Sequence, residues 1–439
     1  MQQDEDWDFV NANIHYMTHG IHPYPARMIP QIAQRLINRY SSPGQVLLDP
    51  FCGSGGVLVE AILAEREAFG IDINPLACLI ARVKSNPLNP KVLAAEWERL
   101  RKKIAIARNF EKVKVERPAF YEEIKYWFKD YVIDDLALIR HILESEIKDE
   151  QILEFFKVCF SNTVRLVSGT RKGEFKLYRI PTEKWDNFKP DVLMTFEERV
   201  NIAIGKMGEF YQQYNKLRNK FKATVIEGDS RELLTEKFPS DEPGEESVDL
   251  IVTSPPYGDS KTTVAYGQFS KLSLLWLGYS KEAVLEVDKK CIGGRRNHHT
   301  INSKALDLTV EKIRESARAE EAEIKDPTEA KKVRVSSEKR VCEVIDFFVD
   351  LSRVIDRLEK VMKKGGIAAF VLGNRTVKSI KIPADEILIE IGREYGLEHL
   401  TTIYRRIPSK RIPWMSSPTN KPGEKVNTIS RESIVILKK

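Results

Sequence analysis

The chain has 439 residues, of which 42% are hydrophobic and 31% charged, a balance typical of a well-cored protein of roughly two or three structural units. Lysine and arginine total 70 against 64 aspartates and glutamates, a formal charge of +6, mildly basic and compatible with a nucleic-acid partner without requiring one. Apolar runs such as 367–372 fall far short of the ~20 residues of a membrane span, and Asp4-Glu5-Asp6 is no signal-peptide flank, so a cytoplasmic protein is expected, neither membrane-bound nor secreted.

In chain order, Gln45 to Asp49 is an apolar run ending in an acid and preceded by Pro43-Gly44, the pattern of a buried parallel strand. A glycine-dense turn, Pro50 to Gly56, follows it. Helical spacing then runs from Val57 to Arg66, and a second strand, Ala68 to Ile73, carries Asp72 near its end. Strand, tight turn, helix and strand in so short a stretch open a doubly wound sheet. Residues 90–222 show helical periodicity, clearest at Tyr131 to Ile147 and Thr195 to Leu217, with a basic and aromatic stretch, Arg171 to Trp185, between.

Strands resume at Ala223 to Glu227 and Val248 to Thr253, the second running into Ser254-Pro255-Pro256-Tyr257. Residues 280–340 are intensely charged, and Glu311 to Lys332 has so few apolar positions that a solvated helix or partly disordered loop is expected. After it come a helix from Asp346 to Lys363 closed by Gly365-Gly366, a strand at Ile367 to Leu372, a helix at Ala384 to Glu394, and strands at Leu400 to Tyr404 and Ser433 to Leu437. Segments 1–89, 223–279 and 341–439 together predict an α/β fold, a doubly wound, mostly parallel Rossmann-like sheet. Segments 90–222 and 280–340 are two largely helical insertions, the first a candidate for target recognition and the second its rival.

The glycine turn alone is a weak signal, because Leu58 stands where a dinucleotide fingerprint has its third glycine. The acids around it sharpen the reading. Asp49 at the mouth of the turn repels a pyrophosphate and attracts a cation, such as the sulfonium and α-amino group of S-adenosylmethionine. Asp72 stands where an acid accepts hydrogen bonds from a ribose diol, and Asp229 follows a third strand, placed to hold an adenine amine.

Val252 to Gly258 is the most informative string. Two prolines cannot continue a buried strand, so the chain must leave the sheet in one rigid shape at a strand's carboxyl end. The Ser254 hydroxyl and Pro255 carbonyl are then acceptors for an exocyclic amine, and Tyr257 offers a face on which a planar base stacks. Accepting the hydrogens of such an amine makes its nitrogen more tetrahedral and frees its lone pair.

With these strings in view, the chain resembles the S-adenosylmethionine-dependent amino-methyltransferases. Asp49-Pro50-Phe51-Cys52-Gly53-Ser54-Gly55 is similar to their cofactor motif and Ser254-Pro255-Pro256-Tyr257 to their catalytic motif, the serine form being typical of enzymes acting on cytosine N4. His22-Pro23-Tyr24-Pro25 and the residues after it are similar to the segment these enzymes place before the glycine turn, near the methionine part of the cofactor. Asp72-Ile73-Asn74 and Gly228-Asp229-Ser230 match the positions that hold ribose and adenine. The resemblance implies transfer of a methyl group to cytosine N4 in nucleic acid, with DNA as the default substrate and structured RNA, such as ribosomal RNA, as the alternative. Adenine N6 or guanine N2 is a further alternative.

Other residues are assigned by chemistry. Cysteine-based methylation of cytosine carbon-5 uses a Pro-Cys pair, and the chain has none, so Cys52 is read as a packing residue beside the cofactor. Tyr266, Phe269 and Trp276 are read as core packing, with the lining of a base pocket as the alternative. His22 shapes the cofactor pocket rather than acting as a base. Lys271 and the basic strings Arg405-Arg406 and Lys410-Arg411 are candidates for contacts to a nucleic-acid backbone. Five scattered cysteines without a C-x-x-C pair, and His298-His299 without further neighbours, predict reduced thiols and no metal site.

Overall fold

The computed structural model describes residues 6–108, 118–239, 242–258, 264–296, 299–407 and 431–439, with the backbone of two short strands between the last two stretches. The strands are β1 (Val46–Asp49), β2 (Glu67–Asp72), β3 (Ala223–Glu227), β4 (Val248–Thr253), β5 (Met362–Gly373), β6 (Thr376–Val377), β7 (Ile380–Lys381), β8 (Glu398–Arg406), β9 (Met415–Ser416), β10 (Val426–Asn427) and β11 (Arg431–Lys438). Seven of them form one sheet in the order β3-β2-β1-β4-β5-β11-β8, and β6-β7 and β9-β10 are separate small hairpins. Pairings from β3 across to β5 are parallel, whereas β11 runs antiparallel to both β5 and β8. The expected α/β class and mostly parallel sheet are what the chain adopts. The strand order reverses between β1 and β4, and in such sheets the crevice for a ligand opens at the carboxyl ends on either side of that point.

Helices α1 (Pro30–Tyr40), α2 (Gly56–Leu63) and α3 (Pro75–Ser85) accompany the first two strands. Helix α3 begins where the sequence dictates: Asn74 accepts from the Leu76 N–H, and Pro75, which has no N–H to satisfy, takes the first position. The first insertion holds α4 (Pro90–Ile106), α5 (Tyr121–Ile124), α6 (Asp130–Glu146), α7 (Glu150–Val167), α8 (Thr182–Asn187) and α9 (Val192–Tyr214). It has no separate core. Phe155, Phe160 and Phe196 from these helices share one cluster with Val59, Leu76 and Ile80 beside the sheet and with Phe269 and Trp276 of the next helix.

That next helix is α10 (Tyr266–Trp276), followed by α11 (Lys281–Lys290), α12 (Lys304–Ala322), α13 (Pro327–Val361) and α14 (Ala384–Glu394). Of the two expectations for the charged stretch, the helix is what the structure shows. The charged stretch around Glu311 to Lys332 is ordered as α12 and the start of α13, two helices packed on each other. Helix α12 has only a narrow apolar stripe, but Leu306, Val310, Ile313 and Ala317 recur at helical spacing and are all buried. Arg314 pairs with Glu338 across the two helices at 2.7 Å. Helix α13 starts at Pro327, capped by Asp326, and runs unbroken past 340, so the expected segment boundary falls inside a helix. It ends at Val361 rather than Lys363, and β5 begins at once, accommodating Gly365 at φ +81°. Among the described residues no helix is long and apolar enough to cross a membrane.

Candidate active site

The turn after β1 is built by its glycines. Gly53 and Gly55 adopt φ +49° and +74°, and a Cβ on Gly55 would stand 2.8 Å from both Cα and Cβ of Ala81, so α3 crosses directly against the turn. The Gly53 N–H donates to Asp72 Oδ2 at 2.9 Å, and the Asn74 N–H donates to Oδ1 of the same carboxylate at 2.8 Å. Asn74 in turn donates its side-chain amide to Tyr24 Oη at 3.0 Å and Ser270 Oγ at 2.8 Å. Tyr24 lies under Gly53 and stacks on Tyr266, ring centroids 6.0 Å apart.

Asp49 is buried and accepts from Thr253 Oγ1 at 2.6 Å and from the Phe51 N–H at 3.2 Å. Thr253 is the last residue of β4, so this bond ties the glycine turn to the Ser-Pro-Pro-Tyr turn across the point where strand order reverses. Burial pushes the Asp49 carboxyl up to about 7 and that of Asp72 up to about 6, against the hydrogen bonds that pull each down. Asp229 follows β3 as expected, but Arg231 grips both of its oxygens, at 2.9 Å and 2.6 Å. Ser230 Oγ donates to the Pro50 carbonyl at 2.6 Å, fastening the β3 turn to the β1 turn.

The Ser254 hydroxyl donates to the Val371 carbonyl on β5 at 3.1 Å, which leaves its lone pairs as acceptors. The Tyr257 hydroxyl donates to Glu432 Oε1 on β11 at 2.8 Å. The other Glu432 oxygen pairs with Arg405 of β8, and Arg405 Nε donates to the Trp7 carbonyl at 2.8 Å. This chain of polar contacts fixes Tyr257 from three strands away.

These turns open onto one cleft of about 1780 Å³, larger than the ~300–1,000 Å³ of a typical single-ligand site. Its lining includes Tyr24, Pro25, Asp49, Pro50, Phe51, Cys52, Gly53, Ser54, Asp72, Ile73, Asn74, Asp229, Ser230, Ser254, Pro256 and Tyr257. Further lining comes from α12, α13 and the β6-β7 hairpin, through residues such as Glu320, Lys332, Arg340 and Lys378, while the 90–222 insertion contributes Phe175.

Several expected residues stand elsewhere. His22 is not at the cleft: it is fully buried, bonded to the Pro23 carbonyl at 2.6 Å and to Ser161 of α7 at 2.9 Å, and burial drives its pKa down to about 3. Gly55 and Pro255 shape their turns without lining the cleft. Arg405 is 4% exposed and spent on Glu432 and the Trp7 and Asp8 carbonyls, so it braces Tyr257 and is no surface clamp. Arg406 is exposed and pairs with Asp8 at 3.5 Å. Lys271 is half-buried on α10, away from the cleft and near Glu123. Lys410 and Arg411 lie outside the described residues, as does His298. Phe269 and Trp276 are core, as expected, but Tyr266 lines the cleft. Cys52 is buried with its Sγ against Gly70.

The sequence reading misses Glu432, Arg375 and Lys84. Arg375 lies against Gly258, where an added Cβ would fall 2.5 Å from its Nη1. Lys84 has a legible signal: it follows Leu76 and Ile80 at helical spacing, on the face α3 buries.

Comparison with known proteins agrees with this arrangement. A family profile described as a DNA methylase matches residues 3–83. Type II methyltransferase M.MjaII of Methanocaldococcus jannaschii is 26% identical over 54% of this chain and 59% of that protein, and Type II methyltransferase M.BsoBI of Geobacillus stearothermophilus is 22% identical over 88% and 80%. Type II methyltransferase M.MvaI of Kocuria varians is 37% identical over 98% of this chain and 93% of its own length. That alignment spans the sheet and both insertions, far beyond a shared cofactor motif: the chain belongs to the amino-methyltransferase family.

Proposed function

We propose that this protein methylates the exocyclic N4 amine of cytosine in DNA, using S-adenosylmethionine. The observation that carries the reading is the 2.6 Å bond between Thr253 and Asp49, which holds the amine-binding turn and the glycine turn side by side on one cleft. The residues present suit the cofactor: two carboxylates, buried Asp49 and half-buried Asp72, line the cleft without a cationic partner in hydrogen-bond contact among the described residues, and the Ser54 hydroxyl is buried with no bond among them. Asp49 would hold the cationic end and Asp72 the ribose diol, with Pro50 to Gly53, Ile73 and Asn74 as walls. Bound there, the cofactor supplies an electrophilic methyl group.

The chain's own part is positioning. Ser254 Oγ and the Pro255 carbonyl accept the hydrogens of the target amine and turn its lone pair toward the glycine bend. Tyr257, pinned by Glu432, presents a face on which the base stacks, worth ~1–3 kcal/mol and offsetting part of the cost of taking it out of a duplex. The surplus amine proton leaves to solvent. Because α12 and α13 line the cleft through several residues and the 90–222 segment only through Phe175, they are better placed to meet the nucleotides flanking the target.

The test is to supply methyl-labelled cofactor with duplex DNA and, separately, with ribosomal RNA, then digest to nucleosides and identify the product by mass spectrometry. N4-methylcytosine from DNA is the expected result. Label in N6-methyladenine or N2-methylguanine overturns the base, and label confined to RNA overturns the polymer.

A further inference from the structure

Lys84 sits in the last turn of α3 and is fully buried. Its Nζ has no hydrogen-bond partner among the described residues, and the side chain lines the same cleft as the glycine turn. Ser54 Oγ, inside that turn, is equally buried, equally without a partner, and lines the same cleft. A buried ammonium and a buried hydroxyl left unbonded are each costly unless something arrives to satisfy them. Helix α3 crosses the turn at Ala81, one helical turn before Lys84, and Lys84 lies close enough to Cys52 of that turn to feel its charge.

The surroundings say what arrives. Arg27 lines the cleft and anchors one nitrogen to the His19 carbonyl at 2.8 Å, adding a second positive charge. Glu60, which opposes the fall of the Lys84 pKa, has its Oε1 occupied by Tyr16 and by His19 at 2.8 Å; its Oε2 is buried without a bond among the described residues, and it forms no ion pair with Lys84. Burial, then the charge of Arg27, drives the Lys84 pKa well below that of a free lysine, as expected of a cation short of a counter-ion. Lys84 Nζ and Ser54 Oγ are both donors short of an acceptor, and an anion with two oxygens would serve both. Full burial rules out the phosphodiester of a polymer, which cannot leave its chain to enter.

We propose that Lys84 and Ser54 form the seat of a carboxylate, the α-carboxylate of the cofactor's amino-acid tail. The assignment rests on the methyltransferase reading. In it Lys84 Nζ pairs with one carboxylate oxygen, the Ser54 hydroxyl donates to the other, and Asp49 on the far side of the turn is left for the cationic groups. The tail is thus held between opposite charges, which fixes its direction in the cleft.

Isothermal titration of the intact protein tests this with two probes: S-adenosylmethionine, and decarboxylated S-adenosylmethionine, which keeps the nucleoside, the sulfonium and the nitrogen and lacks only the carboxylate. The wild-type protein should bind the first at least about tenfold more tightly than the second. Lys84→Met should weaken S-adenosylmethionine at least about tenfold and leave the decarboxylated probe unchanged, so the preference collapses. Ser54→Ala, a smaller change, should narrow the preference in the same sense and serves if the lysine variant does not fold. Equal loss for both probes, or an unchanged preference in both variants, overturns the carboxylate seat while the methyltransferase reading stands. Failure of wild-type protein to bind either probe overturns that reading and the seat with it.

Discussion

Tyr257 shows how a single residue depends on distant strands. It lines the cleft while its hydroxyl is tied to Glu432, so stacking and anchoring can be tested separately. Tyr257→Ala is expected to lower methyl transfer by about 100-fold, the stacking energy expressed as a rate, with cofactor affinity unchanged by titration. Tyr257→Phe keeps the ring and loses the anchor, and should fall between wild type and alanine. An alanine variant as fast as wild type would remove the stacking role. Asp49 and Asp72 give a pH signature. Both carboxyls titrate above the usual range because they are buried, so the folded protein favours their protonated forms. The stability these groups contribute is therefore full below about pH 4 and is lost as pH rises through about 6 to 7. Affinity for a cationic cofactor runs the other way, rising over that same window as the carboxylates ionise. A titration series flat between pH 5 and 8 would contradict it. Asp49, Asp72, Ser254 and Tyr257 are legible in the sequence because each sits in a short string whose chemistry is local. Glu432 and the buried state of Arg405 are not, since only cross-strand register brings them together.

At the scale of elements, the glycine turn and the α12-α13 pair teach opposite lessons. The strand-turn-helix unit at residues 45–72 can be read from its apolar run and glycines, and the structure adds only why Gly55 is irreplaceable: its φ of +74° and the closeness of Ala81. Gly55→Ala should cost at least about 2 kcal/mol in chemical denaturation; an unchanged midpoint would show that the turn relaxes. The second insertion is legible as helical, but its charge density masks the four apolar positions that bury α12. Those positions suffice only because α13 supplies the facing surface, a tertiary effect that composition does not register. Ile313 lies fully buried between the two helices, so Ile313→Ala should destabilise the pair by about 2–5 kcal/mol, read as faster amide exchange in α12. Exchange unchanged from wild type would mean that polar contacts hold the hairpin.

For the molecule as a whole, the first insertion and the sheet share a hydrophobic cluster in which Trp276 meets Phe120, Phe128 and Phe160 edge-on at 5.4, 6.2 and 6.1 Å. A division of the chain by segment at 90 and 222 therefore marks sequence, not mechanical independence. Unfolding followed by tryptophan fluorescence and by far-ultraviolet circular dichroism should give coincident curves. Two separated transitions would show that the helical layer melts alone.

The position of β11 has a consequence for assembly. These residues, 431–438, follow every other described element yet are inserted between β5 and β8. The parallel half of the sheet, with the glycine bend and its acids, is complete in sequence long before them. On the proposed reading, a polypeptide that has not yet slotted β11 home holds the parts assigned to the nucleoside but lacks Glu432, and with it the tether of Tyr257. On that reading the parts for holding the methyl donor are encoded ahead of those for spending it, and only the finished sheet joins the two.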